Sequence, residues 1–244
     1  MFCQERTMST PLYSPLLRQL SWVEHAFQPA GEPPPADARY AHQRHSATVL
    51  TDRQAWPAKS QPGDAVIGSA QHAVAVYTAD CLPLLIADNR QRRVAAVHGG
   101  LQGVTAGVIN AAVRALAAAG SAPGELFVAI GPSIGPCCYE LGEEAIARLR
   151  AAPLLHDTTL PLFATAAHNP RARRPQARAQ QHGQWCDLPA LAEALLRREG
   201  VPAAQIERLG VCTYCEAEAQ ASYRRNTHTG EGYASRYSWI RRQG

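Results

Sequence analysis

Cys81 stands at the entrance to an apolar run, Leu82-Pro83-Leu84-Leu85-Ile86-Ala87, and His98 closes a second run, Val94-Ala95-Ala96-Val97. The turn Asp88-Asn89-Arg90 separates them. Two short apolar runs bounded by turn residues predict neighbouring buried strands. A polar residue at the end of each can then meet the other at one rim of the sheet. His45 comes shortly before a third short strand, at Val49-Leu50. A thiolate and imidazoles gathered there have two common uses, a metal site or a Cys-His nucleophile pair. The alternative is a buried structural thiol and a histidine bonded to backbone.

His45, Cys81 and His98 could supply three metal ligands from three strand ends. Zinc accepts sulfur and imidazole nitrogen, and three protein ligands leave a fourth position for a water whose pKa can fall to about 7. The same donors could make a blue copper centre, which wants a weak axial ligand, often Met. The only methionines are Met1 and Met8, both terminal, and none of the nine histidines forms the His-x-His pair of multicopper oxidases. A metal-free hydrolase or amidase would use Cys81 as nucleophile with a histidine base.

The chain that positions these residues has 244 of them, 46% apolar and 18% charged, ordinary for a globular protein. Its net charge is +4, and Lys59 is the only lysine among 24 basic residues. That mild excess can attract anionic small molecules but does not argue for nucleic acid. Seven cysteines in this length do not make a disulfide scaffold. No basic start precedes an apolar core, and no apolar run approaches the roughly 18 residues of a membrane span. The expectation is a reduced, cytoplasmic protein, monomer or homodimer, without a membrane or nucleic-acid partner.

Along the chain, the prolines of Gly31 to Ala36 predict a loop. Asp64-Ala65-Val66-Ile67 and then His72 to Thr78 read as strand-forming. The glycines at 99, 100 and 103 predict a tight connection, with Thr105 capping a helix to about Ala119 that Gly120 stops. Leu126 to Ile130 predicts a strand, a helix follows from about Glu143, and 165–184 reads as a solvated loop inserted in the domain. Asp187 caps a helix, Ile206 to Cys212 and Tyr237 to Ile240 predict strands, and Arg224 and Arg225 read as a charged tail turn able to grip ribose or phosphate oxygens. Cys212-x-x-Cys215 could be a redox or zinc pair, but it has no second pair at matching spacing, which favours a half-buried structural role, and adjacent Cys137 and Cys138 stay open. No fixed-period repeat and no clean linker divides residues 1–244. The reading is one α/β domain, a central mixed sheet with helices packed outside.

Several runs resemble the laccase-domain family of purine nucleoside-acting enzymes, often labelled purine nucleoside phosphorylase or polyphenol oxidase. They are Gln43-Arg44-His45, Thr78 to Leu85 around Ala79-Asp80-Cys81, Val94 to His98, Gly131-Pro132-Ser133-Ile134-Gly135-Pro136 to Gly142, Cys212-Thr213, and Ser222-Tyr223-Arg224-Arg225. The resemblance implies that His45, Cys81 and His98 hold zinc. It also implies that adenosine is deaminated or that purine nucleosides are cleaved by phosphate, with Asp80 and Glu140 as proton-carrying carboxyls. The chain departs from the family pattern twice. His98 is followed by Gly99-Gly100-Leu101-Gln102-Gly103 where the family has Ala-Gly-Trp-Arg (or Lys)-Gly, and His25-Ala26-Phe27 lacks the following Arg-x-Gly-Gly. Both changes bear on phosphate and nucleoside binding, so a zinc-binding member with impaired catalysis is a further alternative.

Overall fold

The computed structural model describes residues 10–52, 56–69, 71–163, 184–216 and 221–243. The loop expected at 165–184 lies outside these, except for Gln184.

Strand alternation explains the layers. β5 (Leu82–Asp88) is buried on both faces. Leu82, Leu84 and Ile86 enter one core and Leu85 and Ala87 enter another, because successive strand side chains point to opposite faces. β5 pairs antiparallel with β6 (Val94–Gly99) and with β7 (Leu126–Ile130). β3 (Ala65–Gly68) runs antiparallel to β6 and parallel to β2 (Val49–Thr51), and β11 (Ile206–Arg208) runs parallel to β7. The result is a mixed six-stranded sheet, in the order β11-β7-β5-β6-β3-β2.

Helices cover one face of it. α2 (Leu101–Ala106), α3 (Val108–Ala118), α4 (Glu143–Ala151) and α5 (Leu188–Arg198) pack there through residues such as Val104, Ile109, Leu149 and Leu191. The other face is covered by a second sheet. It consists of β1 (Val23–Ala30), β12 (Arg236–Arg242) and β4 (Val74–Thr78), with β12 in the middle. Phe27, Val74, Val76 and Ile240 supply its apolar side, with Leu17 of the short helix α1 (Pro15–Arg18).

The expected helix with a Thr105 cap is two helices. α2 already starts at Leu101, and Gly107 breaks the helix in the left-handed region at φ 92° before α3 begins. Thr105 Oγ1 donates to the Gln102 carbonyl instead of capping. Asp187 does cap α5, accepting the Ala190 N–H at 2.9 Å, and Gly120 ends the α3 segment at φ 97°. The strand expected to run to Cys212 stops at Arg208. The expected tail turn is a helix, α6 (Tyr223–Thr229), whose first turn Ser222 caps by accepting the Arg225 N–H. A small third sheet joins β8 (Glu140–Leu141), β9 (Leu162–Phe163) and β10 (Gln184–Cys186).

Candidate metal and substrate site

The β5–β6 register places Leu82 opposite Gly99 and Pro83 opposite His98. Cys81, one residue before β5, and His98, one residue before the end of β6, therefore share a rim. His45 reaches it from the loop before β2. Its Nε2 lies 3.7 Å from Cys81 Sγ, and its ring centroid is 4.8 Å from that of His98. One ligand atom from each of the three falls within 4.8 Å of the other two. Exposure is graded: His98 is buried, Cys81 half-buried and His45 exposed.

Asp64, at the start of β3, organises this arrangement. Its carboxylate accepts the backbone N–H groups of Arg44, His45 and Ser46 and the Ser46 hydroxyl, and its Oδ1 lies 2.8 Å from His98 Nδ1. Three amides curled around one anion form a nest, and His45 takes a left-handed φ of 58° to complete it. Burial works against ionisation of Asp64, but the bonds from His98, Ser46 and Arg44 outweigh it and hold the carboxyl well below its usual range. With Nδ1–H pinned by the carboxylate, His98 keeps Nε2 free for a ligand. Gln43 fastens the loop to β4, donating from Nε2 to the Tyr77 carbonyl at 2.7 Å and accepting the Tyr77 N–H at 2.9 Å.

The remaining wall is Gly100. A Cβ there would lie 2.4 Å from His45 Cδ2 and 2.9 Å from Cys81 Sγ, so the absence of a side chain makes room for both ligands. Gly103, in α2, lies against the same loop without that demand, since a Cβ there would meet the Ser46 carbonyl oxygen at an ordinary 3.5 Å.

Burial lowers the His45 pKa, and the neighbouring His98 adds to the effect. Burial also pushes the Cys81 thiol up to about 12, reinforced by the Asp80 and Asp64 carboxylates. A divalent cation would offset that penalty on the thiolate. Two imidazoles, one thiolate and a gap kept clear by glycine are a donor set that would fit zinc, and His45 and Cys81 also line the adjoining cavity. That cavity has a volume of about 430 Å³, and His45, Cys81, Leu101, Gln102, Thr105, Tyr139 and Arg148 are among its lining residues.

Asp80 adopts φ 90°, a strained conformation for a non-glycine residue. Its carboxylate accepts the Thr213 hydroxyl and the Arg224 N–H, both at 2.6 Å. The Arg224 guanidinium donates to the Glu140 carbonyl at 2.9 Å and lies over the Tyr139 ring. Arg224 thus links the Asp80 carboxylate, through its N–H, to the Glu140 backbone carbonyl, through its guanidinium. Arg225 instead donates from Nη2 to the carbonyls of Thr213 and Glu216 and lies over Tyr214. The sequence marks Gly100 only as part of a tight connection and assigns no role at the site to Asp64, Tyr139 or Arg148. The only advance signal was a single carboxylate directly before four buried strand residues.

Residues 24–238 match the family described as multi-copper polyphenol oxidoreductase laccase. The chain belongs to this family. Among its relatives, purine nucleoside phosphorylase SCO2081 of Streptomyces coelicolor is 34% identical over 216 residues, 84% of this chain and 76% of that protein. Adenosine deaminase RL5, from an unknown prokaryotic organism, is 32% identical over 66% of this chain and 56% of its own length. The crystal structure of YlmD from Geobacillus stearothermophilus superposes with a TM-score of 0.77 over 98% of both chains, at 20% identity, which shows a shared fold. Among the described residues no helix is long and apolar enough to cross a membrane.

Proposed function

We propose that this chain is a zinc-dependent enzyme acting on purine nucleosides, with adenosine deamination as its stronger activity and phosphorolysis as its weaker one. The observation that carries the reading is the meeting of His45, Cys81 and His98 beside a cavity of about 430 Å³ that His45 and Cys81 help to line, a size within the usual range for small-molecule sites. The relatives named purine nucleoside phosphorylase and adenosine deaminase support the substrate class.

Zinc held by these three residues would supply a Lewis acid that acidifies water close to the nucleoside. Asp64 fixes the His98 tautomer through Nδ1, so the donor set is oriented before a substrate enters. Deamination takes adenosine and water to inosine and ammonia, and a carboxyl must carry a proton from the attacking oxygen to the departing amine. Asp80 and Glu140 are the proposed carriers, with Arg224 holding the two segments together through its N–H and its guanidinium. Phosphorolysis takes nucleoside and phosphate to free base and ribose 1-phosphate, and it needs a cation for the second substrate. Gln102 supplies none, whereas Arg148 lines the same cavity. Arg224 and Arg225 stay candidates for oxyanion contact, Arg224 having the cavity-lining Tyr139 as its ring partner. The protein carries this reaction on a nucleoside in solution, with no nucleic acid or membrane partner proposed.

The test is chromatography of products from a nucleoside panel at neutral pH, with and without phosphate, beside elemental analysis. Inosine should form from adenosine without phosphate, and free base should appear only with it. Free base forming while inosine never does would reverse the ordering. A metal-free protein with full activity, rapid Cys81 alkylation and a covalent mass adduct would replace zinc chemistry with a cysteine hydrolase. Bound zinc without turnover of any nucleoside would leave a binding protein.

A further inference from the structure

Four of the seven cysteines gather in a cluster separate from the His45, Cys81 and His98 group. We propose that in the reduced protein Cys137, Cys138, Cys212 and Cys215 bind one zinc ion through four thiolates, a second site that is structural and closed to substrate. Their ligand atoms all lie within 4.8 Å of one another. Cys138 and Cys215 sulfurs are 3.4 Å apart, Cys137 and Cys215 3.6 Å, and Cys137 and Cys138 3.6 Å. Tetrahedral zinc with Zn–S of about 2.3 Å sets its sulfurs about 3.8 Å from each other. Three edges are already near that length, and closing the longest leaves a movement of about 1 Å.

The donors come from two segments that the fold brings together. Cys137 and Cys138 sit in the turn after Gly135, and Cys212-x-x-Cys215 follows the bridge between Ser133 and Cys212. The Gly135 N–H donates to Cys212 Sγ at 3.2 Å, the amide-to-sulfur bond that favours a thiolate over a thiol. Ile134 and Tyr214 pack around the group and shield it. Cys215 stands in a disulfide in this structure, so its sulfur becomes the fourth ligand only on reduction. A phosphine reductant with water converts that bond to two thiols and leaves phosphine oxide, and the four ligand thiols lose their protons as zinc binds.

The position gives the site a purpose. The Ile134 N–H donates to the Asp80 carbonyl and the Thr213 hydroxyl to its carboxylate, so a cation joining these two loops would clamp Asp80 beside Cys81.

The protein is purified with phosphine reductant and without chelator, and zinc is counted by elemental analysis. Two zinc ions per chain are expected in the wild type, and one in Cys212→Ser, in Cys137→Ser and in Cys81→Ala. A wild-type count of one that only Cys81→Ala removes overturns the site, as does an unchanged count in Cys212→Ser and Cys137→Ser. If the serine variants lose both metals by unfolding, cobalt titration of Cys81→Ala decides. Intense cobalt–thiolate charge-transfer bands at one equivalent support four sulfurs, and their absence overturns the proposal. Loss of zinc from Cys81→Ala bears on the His45 site alone, so failure of either site is read separately.

Discussion

Asp64 Oδ1 receives the Nδ1–H of His98 at 2.8 Å while the same carboxylate gathers the amides of Arg44, His45 and Ser46. One side chain therefore aims two of the three proposed metal donors. Asp64→Asn should weaken metal binding by about 10- to 100-fold, the usual effect of losing such an outer partner. Ser46→Ala, which removes one hydroxyl from the same carboxylate, should cost less. Competition with a chromophoric chelator measures both, and wild-type affinity in Asp64→Asn would refute the role.

Gly100 has φ −69°, which any residue can adopt, so its need is spatial. Gly100→Ala inserts a methyl 2.4 Å from His45 Cδ2. Displacing a ligand by even ~1 Å can cost about 100-fold in rate. We expect activity to fall by that order and zinc to be lost, with the circular dichroism spectrum kept. Full zinc occupancy in the variant would count against the packing described.

Arg148 pairs with Glu144 one turn earlier and also lines the cavity. Because it is largely exposed, its anion contact is worth only ~1 kcal/mol or less. Arg148→Gln should raise the KM for phosphate by up to about fivefold, the equivalent of that energy, and leave the KM for adenosine in deamination unchanged. Initial rates with phosphate varied give the answer. An equal change in both constants would make Arg148 a general wall residue.

His25 accepts the Ser14 N–H at its Nε2, 2.8 Å away, which requires a neutral ring. Burial, with Arg18 adding to it, lowers its pKa from 6.5 to about 4. Between those values the unfolded chain binds a proton that the folded chain refuses. The stability is complete above pH 6.5 and drains as pH falls toward 4, by at most about 3 kcal/mol from this group. Urea midpoints at several pH values should show that slope, and His25→Gln should flatten it. An equal slope in the variant would remove His25 from the acid response.

The rim that joins Cys81 to His98 could be read from the chain because it follows from strand pairing alone. Two apolar runs joined by a tight turn fix the antiparallel register, and register fixes the rim. His45 was legible as a third donor, but its loop was not. The loop is shaped by Asp64, 19 residues on, and by Gln43 bonding to Tyr77, 34 residues on. Contacts of that separation leave no local pattern. Gly103 is expected in the strand-to-helix connection, yet it lies inside α2, at ordinary contact distance from the His45 loop. Arg225 shows the opposite difficulty. Its Nη2 donates to the carbonyls of Thr213 and Glu216, contacts that its sequence neighbours do not announce.

The small sheet runs β1-β12-β4, so its middle strand is the last in sequence among the described residues. β1 and β4 have no pairing with each other and wait for residues 236–242 to slide between them. During synthesis His45, Cys81 and His98 have all left the ribosome once residue 98 has emerged, while two sheet edges stay open until residues 236–242 follow. Open edges of that kind invite pairing with other chains. Completion of β12 therefore divides a nascent chain that sticks to its neighbours from a finished one that does not. A ribosome paused just short of Arg236 would hold the protein at its most aggregation-prone moment.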